Sequence, residues 1–254
     1  MTKETYSLGV VSVSFRKHTP LEILKQMKTA GLNFIEWGSD VHAPPRDIEN
    51  LKTIASMQKE YGVATSSYGT YFRLGVTPVE ELADYIRAAE ILGTNVLRLW
   101  CGDKCGKDMT DAERSFLLSE CKKAAAIAEK ENVILCMECH RWSFTEEPED
   151  AAWLMENVAS RNFRMYWQPP HWKTREEALE SARKIMPYAL NIHVFNLQMQ
   201  GETPAQKPLA DAISDWRSFL EYFPAPRALL LEFMPHGTLD ELVEEASSLR
   251  EIVT

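Results

Sequence analysis

The feature that most constrains this chain is an alternation of apolar runs and amphipathic stretches that repeats eight times, at roughly 30-residue intervals. Short runs rich in Val, Ile, Leu, Phe and Trp predict strands near residues 8–14, 32–37, 62–68, 95–101, 132–139, 163–168, 189–195 and 227–233. Between them, apolar positions recur with helical spacing near 20–30, 46–61, 78–92, 111–130, 148–158, 175–186, 212–222 and 239–252. Strands that are apolar on both faces need cover on both, and a strand–helix–strand repeat supplies it by keeping parallel strands inside and helices outside. Eight such units predict a single (β/α)8 TIM barrel, with residues 1–254 forming one domain.

Local signals agree with that reading. Ser/Thr-x-x-Glu capping boxes occur at Thr19/Glu22, Thr77/Glu80, Thr110/Glu113, Thr174/Glu177 and Thr238/Glu241, each at the head of a helical stretch. Pro20 and Pro78 stand at first helical positions, and Gly31, Gly62 and Gly93 punctuate helix ends shortly before a strand. Helix-to-strand connections are therefore tight, whereas strand-to-helix connections such as 38–45, 102–110 and 196–211 are long. Long connections of that kind belong at the C-terminal face of a barrel, where active sites lie. An open doubly wound sheet would need a Gly-rich phosphate turn after its first strand; here the turn reads Ser12-Val-Ser-Phe-Arg-Lys-His-Thr-Pro20.

The run Val133-Ile-Leu-Cys-Met-Glu-Cys-His140 carries the strongest chemical signal. With a two-residue period, Ile134, Cys136, Glu138 and His140 share one face, so a buried strand ends on a carboxylate that needs a cation or a hydrogen-bond network. Three later apolar runs also end on groups able to bind a metal: Gln168, His193 and Glu232. Two carboxylates, an imidazole and an amide oxygen suit a divalent ion such as Mn²⁺, Mg²⁺ or Zn²⁺. Each residue alone would pass for a satisfied polar group at a strand mouth. Four from successive strands at one barrel end predict a metal or substrate site.

Other candidates surround it. His171 follows Gln168 across two prolines that stiffen the loop, and His140 either meets substrate, supports the metal or packs. Glu36 and Arg98 come from the second and fourth strands, where a buried ion pair competes with a substrate role. Trp100, Trp142, Trp167 and Trp172, with Tyr68 and Tyr71, lie at or beyond strand ends, where aromatic walls suit sugar rings.

Composition excludes several function classes. The net charge of −9 opposes a nucleic-acid partner, since phosphate binding draws on a basic surface. No apolar stretch approaches the roughly 18 to 20 residues of a membrane span, and the start Met-Thr-Lys-Glu-Thr-Tyr lacks a signal-peptide core. Five cysteines without paired metal spacing read as reduced thiols, so a cytoplasmic location is expected.

Glu138-Cys-His140, Gln168-Pro-Pro-His171, His193-Val-Phe-Asn196 and Leu231-Glu-Phe233 together resemble the ligand stations of the xylose isomerase-like TIM-barrel superfamily, with its sugar phosphate isomerases and epimerases, over essentially the whole chain. The resemblance implies metal binding by Glu138, Gln168, His193 and Glu232, acid/base work by Glu138 and Glu232, and substrate contact by His171. It further implies a small-molecule sugar substrate, a divalent metal without an organic cofactor, and isomerisation or epimerisation through an enediolate. Dehydration of a keto-sugar or keto-inositol, or a non-catalytic sugar-binding barrel with a degraded metal site, are the alternatives. The superfamily's AP endonucleases use more His and Asp than the six His here supply. Gln168 departs from the usual Asp and brings no charge, so weaker metal affinity is expected. Relatives are often dimers or tetramers, which leaves a homo-oligomer open.

Overall fold

In the computed structural model the eight predicted runs close into one parallel barrel. The structure describes residues 5–201 and 203–254; the stretch 1–4, part of the start that was read for a signal peptide, lies outside them. The barrel strands are β1 (Ser7–Val11), β2 (Phe34–Gly38), β3 (Ala64–Leu74), β4 (Val96–Cys101), β5 (Ile134–Glu138), β6 (Phe163–Trp167), β7 (Ala189–Val194) and β10 (Ala228–Leu231). They pair in chain order, and β10 returns to β1 through the register Leu8–Leu229 and Val10–Leu231. Helices α1 (Pro20–Ala30), α2 (Ile48–Tyr61), α3 (Leu82–Leu92), α4 (Asp111–Glu131), α5 (Pro148–Val158), α6 (Arg175–Ile185), α7 (Ile213–Leu220) and α8 (Leu242–Val253) alternate with them. Among the described residues no helix is long and apolar enough to cross a membrane.

Three of the five expected capping boxes form in full, at Thr19, Thr110 and Thr174. Thr77 does not cap, because the chain enters α3 through a 3₁₀ turn at Val79–Glu81 and the Thr77 hydroxyl accepts from the Arg73 backbone instead. Glu241 collects the backbone N–H groups of His236 and Thr238, but α8 begins only after it. A second difference lies in residues 196–211. This long connection carries a small antiparallel hairpin, β8 (Leu197–Gln200) with β9 (Thr203–Gln206), outside the barrel sheet.

Strand alternation divides the core in two. Val11, Val13, Val96, Cys136, Tyr166, Ala228 and Leu230 pack together inside the barrel, whereas Ile35, Trp37, Leu97, Leu99, Leu135, Met137, Met165, Trp167, Leu229 and Leu231 pack against the helices. Parity therefore decides which side chain reaches the mouth. Trp167 is wholly buried outward against Trp216, Phe219 and Phe223, so this ring builds the core rather than an aromatic wall.

One buried acid lies away from the mouth. Both oxygens of Glu245 on α8 accept the Leu209 backbone N–H at 3.2 Å. Burial pushes its carboxyl up from 4.5 to about 7, against the pull of that hydrogen bond. Between those two values the folded chain holds a proton that the unfolded chain has lost, so stability contributed by the protonated acid fades as pH rises through this window. Urea unfolding at pH 5 and pH 8 is expected to show that Glu245→Gln loses less stability between the two than wild type does. Equal losses would contradict the assignment.

Candidate active site

The site rests on an ion pair that β3 makes room for. Arg98 Nε donates to Glu36 Oε1 at 2.8 Å and its Nη1 donates to Glu138 Oε2 at 2.5 Å, with all three side chains almost fully buried. A Cβ at Gly69 would stand 2.5 Å from Glu36 Oε1 and 2.8 Å from Arg98 Nη2, so the glycine is what lets the pair cross the barrel axis. Ser67 adds a hydroxyl donor to Glu36 Oε2 at 2.8 Å. Burial alone would raise the Glu36 carboxyl, but Arg98 and His193 outweigh it and hold it down to about 2. The expected Glu36–Arg98 pair is present, and it is half of a larger bridge. Glu36 lies beneath the site and does not line the cleft, so it positions Arg98 rather than meeting substrate.

Glu138 is tied on one side and open on the other. Its Oε2 accepts from Arg98 and from Trp100 Nε1 at 2.5 Å, and its Oε1 lies 3.4 Å from His193 Nδ1. Burial would raise this carboxyl too, yet the Arg98 charge and hydrogen bonding from His193 prevail and keep it far below the usual carboxylate range. The same His193 nitrogen lies 3.2 Å from Glu232 Oε2 and 3.3 Å from Gln168 Oε1. Gln168 is held in that orientation because its Nε2 donates to the Cys139 carbonyl at 2.9 Å. Four ligand-capable atoms from β5 and from the ends of β6, β7 and β10 thus meet at one point, as the sequence predicts.

The donor set fits a divalent cation. Glu138, His193 and Glu232 bring ligand atoms within 4.8 Å of one another, and Glu232 Oε2 is buried with no hydrogen bond to any described residue beyond its approach to His193 Nδ1. Three carboxylates face one guanidinium, and the two negative charges left over match a dication. Burial opposes protonation of His193, but the charges of Glu232 and Glu36 raise its pKa well above the ordinary imidazole value. A proton and a metal therefore compete for Nδ1. A second group, Cys105, Glu146 and Glu147, also clusters, but Glu147 pairs with Lys173 and Glu146 accepts the Trp142 backbone N–H at 2.6 Å.

Above the four atoms opens a cleft of about 990 Å³. Trp100, His140, His171 and Arg98 line it, as do Tyr71, Trp142 and Trp172. Trp100 also stacks near His140, with ring centroids 4.6 Å apart. Tyr68 is not part of it: β3 continues to Leu74, which places Tyr68 in mid-strand facing outward, fully buried, with its hydroxyl donating to the Ala43 carbonyl at 2.5 Å. The structure adds Arg16, Arg141, Phe195 and Phe233 to the cleft. All four lie past strand ends, where no periodic signal announces direction; closeness to Glu138, His193 and Glu232 in the sequence hinted at Arg141, Phe195 and Phe233, and nothing there hinted at Arg16, which follows a 3₁₀ turn after β1.

Two linked outcomes are expected for metal binding. Calorimetric titration with Mn²⁺ in two buffers of different ionisation enthalpy is expected to report about one proton released per ion near neutral pH, with affinity falling as pH falls. Gln168→Asp, which adds a charge to the shell, is expected to bind roughly tenfold more tightly. Unchanged or weaker binding in the variant would remove Gln168 from the ligand set.

Comparison with known proteins agrees with this fold. A family model described as the xylose isomerase-like TIM barrel matches residues 24–223. No curated protein matches the chain in sequence. Among solved structures, a probable 3-DHS dehydratase involved in petrobactin synthesis from Bacillus anthracis superposes with a TM-score of 0.79 at 16% identity, over 96% of this chain and 98% of that one. The IOLI protein with a bound zinc atom gives 0.77 at 14% identity, covering 97% and 98%. A D-psicose 3-epimerase crystallised with D-fructose gives 0.71 at 12% identity, covering 97% and 99%. At such identities these likenesses establish the shared barrel, and the family model, which spans most of the chain, establishes membership. The chain belongs to the xylose isomerase-like TIM-barrel family.

Proposed function

We propose that this protein is a metal-dependent enzyme that moves a proton on the carbon next to a carbonyl of a sugar, as an isomerase or epimerase. The observation that carries the reading is the approach of Glu138 Oε1, Gln168 Oε1 and Glu232 Oε2 to one nitrogen of His193, at 3.2–3.4 Å, beneath an aromatic-walled cleft. Glu138, Gln168, His193 and Glu232 would hold the ion. When bound, a divalent ion supplies positive charge to the substrate's carbonyl and neighbouring hydroxyl oxygens and so acidifies the adjacent C–H.

The chain's own residues divide the remaining work. Glu232, whose Oε2 lies 3.2 Å from His193 Nδ1 and makes no hydrogen bond to any other described residue, is the carboxylate left to accept the substrate proton. Glu138 is the second carboxylate of the site; Arg98 and Trp100 fix one of its oxygens and leave the other for ligation and proton return. Trp100, Trp142 and Trp172 offer apolar faces to a sugar ring and exclude water from the reacting carbon. The same proton removal begins the loss of water from a neighbouring carbon, and the likeness to a 3-DHS dehydratase supports dehydration as a second reading. Product analysis separates the two.

Glu138→Gln and Glu232→Gln, each loaded with metal, are expected to slow exchange of a ketose proton with D₂O by about 10²–10⁴-fold, because an amide still offers an oxygen to the ion but accepts no proton. Exchange in either variant within about tenfold of wild type, a barrier change of about 1.4 kcal/mol, would reject the two-carboxylate mechanism.

A further inference from the structure

The floor of the cleft is acidic, but part of its wall is built from polar groups without a partner. Arg141, half-buried in the loop after β5, has no carboxylate within 4.0 Å and no hydrogen bond from its guanidinium to any described residue; it lies over the Trp142 ring, 4.9 Å from guanidinium carbon to ring centroid. His171 and Trp172 line the same cleft, and His171 Nδ1 and Trp172 Nε1 are both buried without a partner. A guanidinium has five N–H donors and no acceptor, and an indole has one donor and no acceptor. Leaving such groups idle in a half-buried wall costs free energy that a ligand rich in acceptors recovers.

The other rim cation is already neutralised. Arg16 Nε donates to Asp40 Oδ2 at 2.5 Å and its Nη2 to the Tyr71 hydroxyl. Arg98, deeper, is committed to Glu36 and Glu138. Arg141 is thus the cleft's uncommitted guanidinium, in a chain whose net charge of −9 repels anions at long range.

We infer that Arg141, with the N–H of Trp172 and the His171 ring, forms a subsite for a carboxylate, so that the substrate is an acidic keto sugar whose carbonyl end faces Glu138 and Glu232. This inference rests on the proposed function for which end of the substrate faces the floor. One guanidinium balances one carboxylate and can grip it with two parallel hydrogen bonds. A phosphate monoester would bring close to two charges against it. His171 adds no second charge, since burial first, then the nearby Arg141 and His140, lower its pKa to about 4.

Three probes of one carbon skeleton test this: D-fructose, D-fructuronate and D-fructose 6-phosphate, each added to the Mn²⁺-loaded enzyme. Binding is read from quenching of the cleft tryptophans, and proton exchange from NMR in D₂O. Wild type is expected to bind D-fructuronate about tenfold more tightly than D-fructose or the phosphate, with the preference shrinking at high salt. Arg141→Gln is expected to bring the ratio of D-fructuronate to D-fructose affinity close to one, and Arg141→Lys to restore part of it. No preference in wild type, a preference that survives Arg141→Gln, or tighter binding of the phosphate would each overturn the inference. The two readouts keep the claims apart: Arg141-dependent preference without exchange leaves the subsite standing and removes the isomerase reading, and exchange without that preference does the reverse.

Discussion

Everything at the mouth of this barrel depends on one guanidinium held between two carboxylates. Arg98 reaches Glu36 on one side and Glu138 on the other, in space left by Gly69. Three acids buried around a barrel axis would repel one another strongly without it, and breaking such a bridge by removing one partner typically costs about 3–5 kcal/mol. The bridge also sets direction. By taking Glu138 Oε2, Arg98 and Trp100 turn the other oxygen toward His193, and Glu36 stands 3.5 Å from the far nitrogen of the same ring. A carboxylate behind a ligating imidazole is the usual means of fixing which nitrogen faces a metal.

From this centre the barrel changes character along its axis. Below, Val96, Cys136 and Leu230 fill the interior and keep water out. Above, tryptophans and a few polar groups form a cleft wide enough for a small polyhydroxy compound. The charges therefore sit in a medium of low effective dielectric, where Glu232, met at its Oε2 by the His193 ring alone, is short of positive charge. That shortage links a structural fact to a chemical one: the carboxylate proposed to accept a proton is the one of the three with the fewest donors around it.

Much of this was legible in the sequence because it is written in short-range patterns. Thr19, Thr110 and Thr174 cap their helices through contacts three residues away, so the helix starts survive folding unchanged. Glu138, Gln168, His193 and Glu232 could be found because each follows an apolar run whose parity points inward. What was hidden depends on longer range. Tyr68 looked like a strand end only because β3 runs six residues further than its apolar segment, past a register shift against β4. Trp167 lies one position before Gln168 and so faces the helices, which parity alone would have told. Arg141 occupies a loop, where direction is set by neighbours such as Trp142 and no period exists to read. The hairpin at 197–206 is too short for alternation to separate it from an irregular connection.

We propose the barrel mouth as a divalent-cation site assembled from four strand ends. Anomalous diffraction from a crystal soaked in Mn²⁺ tests it most directly. One strong peak is expected between Glu138 Oε1, Gln168 Oε1, His193 Nδ1 and Glu232 Oε2. A map without a peak there at millimolar Mn²⁺, or with its only peak at Cys105, Glu146 and Glu147, would contradict it.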